Sequence, residues 1–412
     1  MIKDLLKKYF IGIFLILFTI PSVLFAQSML MGKVLNEQNM QPVQNASVYF
    51  NNTQVGTITN EKGQFKLYSK RLYSDLIVSA VGYEKAIINI NGNNSTYTVL
   101  LKEKSNELIE VTIGTGKNDW KKWGDLFFRL LLGKDHNAAY CKILNPEDVK
   151  FYYDESNHYL EISSNKPILI KHLGLDCTLH VDIDKFTYDF LKDELDYHSG
   201  IYYSNIDAKP IKKINTFLKN SYLGSKMHFF RSLYSNTLEE ENFQLYRYSS
   251  IKNINKENAF RAVQLYKAKK IAAGAKGHDL LKLSDYPDSA EYYRKLLMQD
   301  DVLKWDTTRV NYREYLTFDS LNNKMIFKFS DTLMVLYKRD NNLAYNITRQ
   351  HVSSGLGAIS LIELKTLLCL TNQEGVIIDP AGFALPNVLL MIGNMGDRRL
   401  AHQLPYDFIY SP

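Results

Sequence analysis

The chain has 412 residues, a formal net charge of +6 at pH 7, 45% hydrophobic residues and three cysteines. This length allows two or three domains with ample hydrophobic cores. The weak positive charge argues against nucleic acid or another dedicated polyanion as the partner. The odd number of cysteines excludes a scaffold in which every cysteine is paired within the chain.

The first 26 residues have the pattern of a cleavable export signal. Three lysines among the first eight residues precede an apolar stretch from Tyr9 to Phe25, and Ala26 lies just before the predicted cut. No cysteine follows the cut, so we expect no lipid attachment there. Removal of residues 1–26 takes away three lysines and one aspartate, which lowers the net charge from +6 to +4. No later segment approaches the ~20 apolar residues of a membrane helix.

Short β-branched and aromatic runs then alternate with turn residues. Asn60–Gly63 supply a turn whose glycine tolerates a positive φ, and Pro42 interrupts the chain before the second run. Seven such runs predict a β-sandwich. The predicted strands are Met29–Leu35, Ala46–Phe50, Val55–Thr59, Gln64–Leu67, Leu76–Ala80, Ala86–Ile90 and Tyr97–Leu101.

Four motifs carry a family resemblance, namely Gly32-Lys33-Val34, Pro42–Val48, Gly56–Phe65 and Gly82-Tyr83. They resemble the carboxypeptidase regulatory-like domain common in exported proteins of Bacteroidetes. Asn36 stands where that family usually has Asp, and a turn accepts either residue. The resemblance implies a transthyretin-like sandwich over residues 27–103, with no catalytic residues of its own.

A predicted linker follows at residues 104–118. Within it, Asn106–Ile113 and Gly114-Thr115-Gly116 resemble the connector between such a sandwich and the plug of TonB-dependent outer-membrane receptors. The residues after Gly116 are too few for a receptor barrel of about 22 strands, each about 9–11 residues long. The chain itself is therefore not expected to be such a receptor.

Residues 119–412 show a mixed pattern that predicts a larger, β-rich α+β domain. A helix is predicted from Trp120, behind an Asp119 N-cap and ending at Gly133. Further helices are predicted over Lys226–Leu238 and from Asp288, where Glu291 has capping-box spacing. The predicted strands are Lys150–Tyr153, Tyr159–Ser163, Ile168–Ile170, Thr178–Ile183, Lys324–Phe329, Thr332–Tyr337, Ile359–Leu370 and Gly375–Ile378.

This second part is similar to the large C-terminal region of Bacteroidetes proteins that are named only for their carboxypeptidase-like regulatory domain. Leu175 stands where that pattern has Tyr. The resemblance adds a family and a compartment, but no assigned activity. The motifs that carry it are Trp123–Phe127, Leu132-Gly133, Cys141–Pro146, Leu173-Gly174-Leu175, Asn220–Ser225 and His228–Leu233.

A zinc site is the first chemistry to test, because His158 and Glu161 have the H-x-x-E spacing of zinc carboxypeptidases. Positions i and i+3 of a strand point to opposite faces, so both side chains reach one metal only if the strand ends between them. His172 and His180 are candidates for further ligands, but the sequence around them has the pattern of successive strands. We therefore favour a strand with a surface His and Glu.

Other catalytic patterns are incomplete. His351–Gly355 place a histidine near serines in a loop without a Gly-x-Ser-x-Gly motif, and Gly355-Leu356-Gly357 lack a third glycine for nucleotide binding. Asp182, Asp184 and Asp189 lack calcium-loop spacing and are expected at solvated strand edges or turns. The sequence thus predicts no catalytic, cofactor-binding or metal-binding residues and no cofactor.

Two features could serve binding. A lysine-rich stretch could meet acidic glycans or lipid headgroups, although a solvated helical face is favoured. The high content of 28 Tyr and 21 Phe suits sugar stacking or a protein interface, although core use is expected to explain most of it. The basic residues are Lys209, Lys212, Lys213, Lys219, Lys226 and Arg231.

The three cysteines are expected to be small buried hydrophobes. A bridge between Cys141 and Cys177 is the alternative, and Cys369 is the one most expected to be free. The sequence as a whole favours a non-enzymatic cell-envelope protein, periplasmic or attached to the outer membrane, that binds an envelope protein or glycan. The alternatives are a hydrolase of a new type in residues 119–412 and an accessory subunit of nutrient uptake.

Overall fold

The structure is a computed structural model. Strands make up 44% and helices 24% of the residues that the structure describes, so the predicted mainly β architecture is confirmed. The predicted export signal and connector lie outside the described residues. The structure describes residues 28–69, 73, 75–90, 96–104, 118–204, 212–273, 290–300, 302–320, 324–339, 362–385 and 388–410.

The chain divides into two compact units. The smaller unit comprises Met1–Val48, Thr57–Ala80 and Glu84–Lys102. The larger unit comprises Tyr49–Gly56, Val81–Tyr83 and Glu103–Pro412. The boundaries predicted from the sequence, at 27–103, 104–118 and 119–412, stay a prediction.

All seven strands predicted before residue 103 are present, in two sandwich-like sheets. One sheet has the order β4-β1-β7, with β1 antiparallel to β4 and parallel to β7, and the other has the order β3-β2-β5-β6. The strands are β1 Ser28–Asn36, β2 Ser47–Phe50, β3 Gly56–Ile58, β4 Gln64–Ser69, β5 Asp75–Ser79, β6 Ala86–Asn89 and β7 Thr96–Leu101.

The three-stranded sheet buries one face through strict alternation of its side chains. In β4 the side chains of Phe65 and Leu67 are buried, while that of Lys66 between them is exposed. Gly32 of β1 lies directly against this layer. A Cβ atom at residue 32 would come within 2.3 Å of the Tyr97 carbonyl oxygen and 2.5 Å of the Phe65 ring, so the sheet requires glycine there.

Thr59 fixes the chain that follows β3. Its side chain is 2% exposed, and its Oγ1 donates to the carbonyl of Val43 at 2.7 Å and accepts from the N–H of Ala46 at 2.8 Å. Both of these backbone groups precede β2. The second threonine of the Gly56–Phe65 motif therefore satisfies two backbone groups that would otherwise be unpaired.

We expect Thr59→Val to lower the free energy of unfolding by about 1–3 kcal/mol, because valine keeps the shape but leaves these groups without a partner. The urea midpoint of the full chain, followed by circular dichroism, measures the loss. Thr98→Val, at an exposed position of β7, is the control and should leave the midpoint nearly unchanged. Equal midpoints for both variants would contradict the assigned role of Thr59.

The larger unit contains three further sheets. The first has the order β8-β11-β12-β10-β9 with β13 paired to the other side of β12, the second β15-β14-β18-β19-β22, and the third β16-β17-β20-β21. Their strands are β8 Cys141–Ile143, β9 Val149–Asp154, β10 Tyr159–Ser164, β11 Ile168–His172, β12 Cys177–Asp189, β13 Glu194–Ser204, β14 Phe243–Lys252, β15 Val302–Arg309, β16 Leu316–Asp319, β17 Lys324–Phe327, β18 Leu333–Arg339, β19 Ile362–Leu370, β20 Val376–Ile378, β21 Ala384–Leu385 and β22 Leu389–Gly393.

Helices occupy the connections of the larger unit. They are α1 Trp120–Leu132, α2 Lys212–Tyr222, α3 Lys226–Tyr234, α4 Ile254–Ala272, α5 Ala290–Leu297 and α6 Asn394–Asp397, with 3₁₀ turns at Ala138–Tyr140, Pro146–Asp148, Tyr312–Tyr315 and Leu400–His402. None of the helices among the described residues is long and apolar enough to cross a membrane.

Helix α1 confirms the predicted amphipathic helix. Its residues Trp123, Phe127 and Leu131 are buried, and Gly133 ends it with a φ of 103°. The predicted Asp119 cap is wrong in one respect, because its side chain makes no capping hydrogen bond. Its backbone carbonyl instead accepts from the N–H of Trp123.

Helix α3 begins at Lys226 as predicted but ends at Tyr234, four residues before the predicted end at Leu238. The chain leaves the helix because Asn236 adopts a positive φ of 59°, a conformation that a continuing right-handed helix cannot include. The aromatic content serves the core, as expected. Among the described residues, ten of the twelve largest fully buried side chains are Tyr or Phe.

Candidate functional site

The outward side of the three-stranded sheet is the most distinctive surface of the smaller unit. We call it the β1 face and define it as Gln64, Lys66 and Tyr68 of β4, Met29, Met31 and Lys33 of β1, and Thr96, Thr98 and Leu100 of β7. The strand register places them in four rows, namely Tyr68–Met29, Lys66–Met31–Thr96, Gln64–Lys33–Thr98, and Leu100 beside the buried Leu35.

The β1 face carries apolar groups at both ends and basic groups between them. Tyr68 is 60% exposed, Leu100 44% and Met29 39%. Lys33 and Lys66 lie in the two central rows and are exposed. None of the nine side chains of this face is acidic. The face can therefore offer apolar contact at two points and positive charge between them.

The larger unit contains a polar centre that joins residues distant in sequence. His402 Nδ1 lies 2.8 Å from the side-chain nitrogen of Asn137, and His402 Nε2 forms a short hydrogen bond with Asp135. The same nitrogen of Asn137 lies 3.3 Å from Ser221 Oγ. With the amide of Asn137 as donor, Nδ1 of His402 accepts and Nε2 donates its proton to Asp135.

The order Asp135–His402–Asn137–Ser221 differs from a nucleophilic triad. The side chain of Asn137 stands between the imidazole and the hydroxyl, and both of its N–H groups are engaged. Ser221 is fully buried, so its oxygen is closed to a substrate. The arrangement therefore acts as a cross-link between chain segments.

Two charged groups help to hold this centre, namely Asp135 within it and Arg398 beside it. Burial favours a raised pKa for Asp135, but hydrogen bonds from His402 and from the backbone N–H groups of Asn137 and Ala138 outweigh it and lower the pKa. Arg398 donates to the carbonyls of Ser221 and Leu223 at the end of α2. Burial lowers the pKa of Arg398 to about 10, so its guanidinium stays charged at neutral pH and caps the helix.

The buried thiols lie in one row across three strands. Cys141 of β8 pairs with His172 of β11, and His172 pairs with Cys177 of β12. The two cysteines are thus two strands apart, about 10 Å, whereas a disulfide needs Cα atoms within about 7 Å. The alternative of a Cys141–Cys177 bridge is therefore wrong, and all three cysteines are free.

Three histidines use both ring nitrogens within the fold, and of these His172 and His228 are buried while His402 is partly buried. His172 accepts from the N–H of Leu175 and approaches the carbonyl of Ala401 at 3.1 Å. His228 accepts from the N–H of Gly224 and lies 3.0 Å from Glu241. His402 is engaged as described above. Burial lowers the pKa of His172 and of His228, so both are neutral cross-links at neutral pH.

The described residues of the lysine-rich stretch do not form one basic surface. Lys226 lies over the ring of Phe230 at 5.9 Å, and burial lowers its pKa. Arg231 donates to the carbonyls of Ala381 and Tyr406. Lys219 is half-buried on α2. The side chains of Lys212 and Lys213, and Lys209 as a whole, lie outside the described residues.

The residues considered above as possible zinc ligands have separate surroundings in the structure. His158 lies in the turn between β9 and β10 at a φ of 56°, with its Nδ1 3.2 Å from the Tyr153 hydroxyl. Glu161 is exposed on β10. His180 lies 2.8 Å from Ser204 Oγ. Among the residues that the structure describes, no group of three or more His, Cys, Asp or Glu is placed to hold a metal ion.

The aspartates of β12 have different surroundings. Asp182 is not a solvated edge residue as expected, because it is half-buried and accepts a hydrogen bond from the Tyr49 hydroxyl at 2.6 Å. Asp184 is exposed, and Asp189 accepts from the N–H groups of Leu191 and Lys192 in a turn. Residues 351–357, with the predicted His-Ser and Gly-x-Gly patterns, lie outside the described residues.

Comparison with known proteins identifies a family for part of the chain. Residues 30–113 match the family model of the CarboxypepD_reg-like domain, which confirms the resemblance seen in the sequence. No curated protein matches the chain. A solved structure from Bacteroides fragilis NCTC 9343, of a protein of unknown function for which membrane association has been suggested, is similar with 8% identity and a TM-score of 0.16. That match covers 89% of this chain and 93% of the other.

The thiols should differ sharply in reactivity. Burial raises the pKa of Cys141 and of Cys177 to about 12, so roughly one in ten thousand of either thiol is ionised at pH 8. We expect iodoacetamide to label Cys369, which is half-buried, before the other two, and to label those only after unfolding. Mass spectrometry of time-resolved adducts measures this, with Cys369→Ser as the control. Early labelling of Cys177 in the folded chain would contradict the assignment.

The polar centre should make stability depend on pH. The folded-state pKa of Asp135 lies below its ordinary 3.8, so the stability it contributes is present above that value and is lost as the pH falls through the folded pKa. The difference in melting temperature between the native chain and Asp135→Asn should therefore shrink on acidification. The same comparison in a His402→Ala background should show a weaker pH dependence. A pH-independent difference would refute the contribution of this pair.

Proposed function

We propose that this chain, whose residues 30–113 match the CarboxypepD_reg-like domain, is a non-enzymatic cell-envelope protein that binds a partner through the β1 face. The partner is an envelope protein with acidic side chains between apolar ones. The predicted export signal at residues 1–26 gives the compartment, periplasmic or associated with the outer membrane. The sandwich at 27–103, the linker at 104–118 and the α+β domain at 119–412 give the proposed organisation.

The observation that carries this proposal is the composition of the β1 face. Tyr68 and Met29 lie directly opposite each other on neighbouring strands and are both exposed, and Leu100 is exposed at the other end. Tyrosine and methionine are enriched where proteins bind one another. Lys33 and Lys66 between them supply the charge that selects an acidic partner and speeds its approach.

The size of the face indicates a transient interaction. Three strands at about 4.8 Å spacing and six residues at about 3.4 Å rise give a footprint of roughly 300 Å². Stable complexes bury about 800 Å² on each partner. The β1 face alone therefore supports weak binding, and stronger binding needs contacts from a second surface or from several copies.

The chemistry of the larger unit supports a binding role. The ring nitrogens of its buried histidines make contacts that hold segments together. Burial raises the pKa of two of its thiols. A catalytic base needs a nitrogen that can take a proton from a substrate. These residues instead stabilise the shape of the unit.

The test is crosslinking in envelope fractions with the tagged full chain. We expect a captured protein whose yield falls at least fivefold with the double variant Tyr68→Ala, Lys66→Glu and also falls at high salt. Ile87→Ala with Lys62→Glu, at exposed positions outside the β1 face, should leave the yield unchanged.

Equal capture by both variants would refute the β1 face as the binding surface. Retention of the chain by envelope polysaccharide alone, unaffected by protease treatment of the fraction, would refute a protein partner. Release of product from envelope glycans or peptides by the purified chain would refute a non-enzymatic role and favour the hydrolase alternative.

A further inference from the structure

Residues Tyr49–Gly56 belong to the larger unit and lie along the outer edge of β13. The N–H of Asn52 donates to the carbonyl of Ile201 at 2.7 Å, and the N–H of Tyr203 donates to the carbonyl of Thr53 at 3.0 Å. Thr53 and Tyr202 form a parallel β-bridge. The segment thus pairs with the outer edge of β13 through one β-bridge and two backbone hydrogen bonds.

Side chains of the segment fit this edge specifically. Asn51 Oδ1 accepts from the N–H of Ile201 at 2.9 Å, so a side chain completes the ladder. Thr53 is fully buried, and its Oγ1 donates to the carbonyl of Phe50 and accepts from the N–H of Val55. A Cβ atom on Gly56 would come within 2.4 Å of the Tyr202 ring. Both the shape and the hydrogen bonds of the edge therefore select these residue types.

Residues Gln403–Asp407 line the segment from another direction. The amide nitrogen of Gln403 donates to Asn52 Oδ1 at 2.6 Å, and the N–H of Tyr406 donates to the carbonyl of Asn52 at 2.7 Å. The carboxylate of Asp407 accepts from the N–H of Gln54 at 3.2 Å. The segment therefore lies in a groove with β13 as one wall and residues 403–407 as the other.

The conformation of Asn52 adds to this selection. Its φ is 56°, which asparagine tolerates better than most residues other than glycine. With this φ, its N–H reaches β13, its carbonyl reaches Tyr406 and its side chain reaches Gln403. Three of its polar groups are thus satisfied by three separate residues of the groove.

We propose that β13 and residues Gln403–Asp407 form a recognition groove for an Asn-Asn-Thr-Gln segment with a left-handed second residue, that residues 49–56 of this chain occupy it, and that the larger unit depends on this occupant. This goes beyond the function proposed above. The residues matched by the family include part of the folded larger unit, so residues 119–412 alone lack a segment on which they depend.

The first experiment replaces Asn51–Gln54 by Gly-Ser-Gly-Ser in the full chain. We expect hydrogen exchange at the amides of Ile201 and Tyr203 to rise at least tenfold, because their acceptors are removed or loosened. A synthetic peptide of residues 47–58, added in excess, should slow these amides again, whereas a scrambled peptide should not.

Unchanged exchange at both amides after the replacement would overturn the proposal, and so would failure of the peptide to restore protection. If the replaced chain does not fold, single variants keep the test open. Asn51→Ala should speed exchange at Ile201, and Gly56→Ala should lower the melting temperature by displacing the Tyr202 ring. Asn39→Ala, on the exposed turn after β1, is the control and should change neither. Single variants that match this control would overturn the proposal.

Discussion

The backbone N–H and C=O groups along the outer edge of a sheet need partners. In the larger unit, β13 is such an edge strand. One side of β13 pairs with β12, while the other side would be left with unpaired N–H and C=O groups. Buried groups of this kind cost free energy unless they are bonded. The chain meets this requirement with residues that lie about 150 positions earlier in the sequence, and the same residues hold the segment 403–407. The edge of one strand thus determines where two distant stretches of chain must lie.

Residues Arg398–Tyr410 complete this organisation. They cap α2 through Arg398, reach the loop before β8 through His402, and lie against Arg231 of α3 through the carbonyl of Tyr406. A histidine hydrogen-bonded to an aspartate resembles part of a catalytic site, but here this pair links distant segments of the chain. The larger unit therefore uses polar chemistry to fix its shape, and the binding surface that we propose is the alternating face of the smaller unit.

How much the sequence predicts depends on the range of the interactions involved. The sandwich strands follow from local alternation and turn residues, and α1 follows from the spacing of Trp123, Phe127 and Leu131, so both were predictable.

The strand β13 and the helix α4 were missed, because the polar residues of the one and the weak periodicity of the other give no clear signal. The polar centre was missed because Asp135 and His402 are 267 positions apart. For the β1 face, the alternation of Gln64, Lys66 and Tyr68 was the available signal, but only the register showed that Met29 lies beside Tyr68.

The row formed by Cys141, His172 and Cys177 bears on how the chain would mature outside the cytoplasm. A nascent chain in an oxidising compartment carries thiols that can pair wrongly until the sheet has assembled. Once β8, β11 and β12 are in register, an imidazole separates the two sulfur atoms and the protein interior shields them from oxidants. In an exported chain, formation of this sheet would therefore compete in time with oxidation, and assembly of the three neighbouring strands would protect the chain from a covalent error that only a reductant or an isomerase could undo.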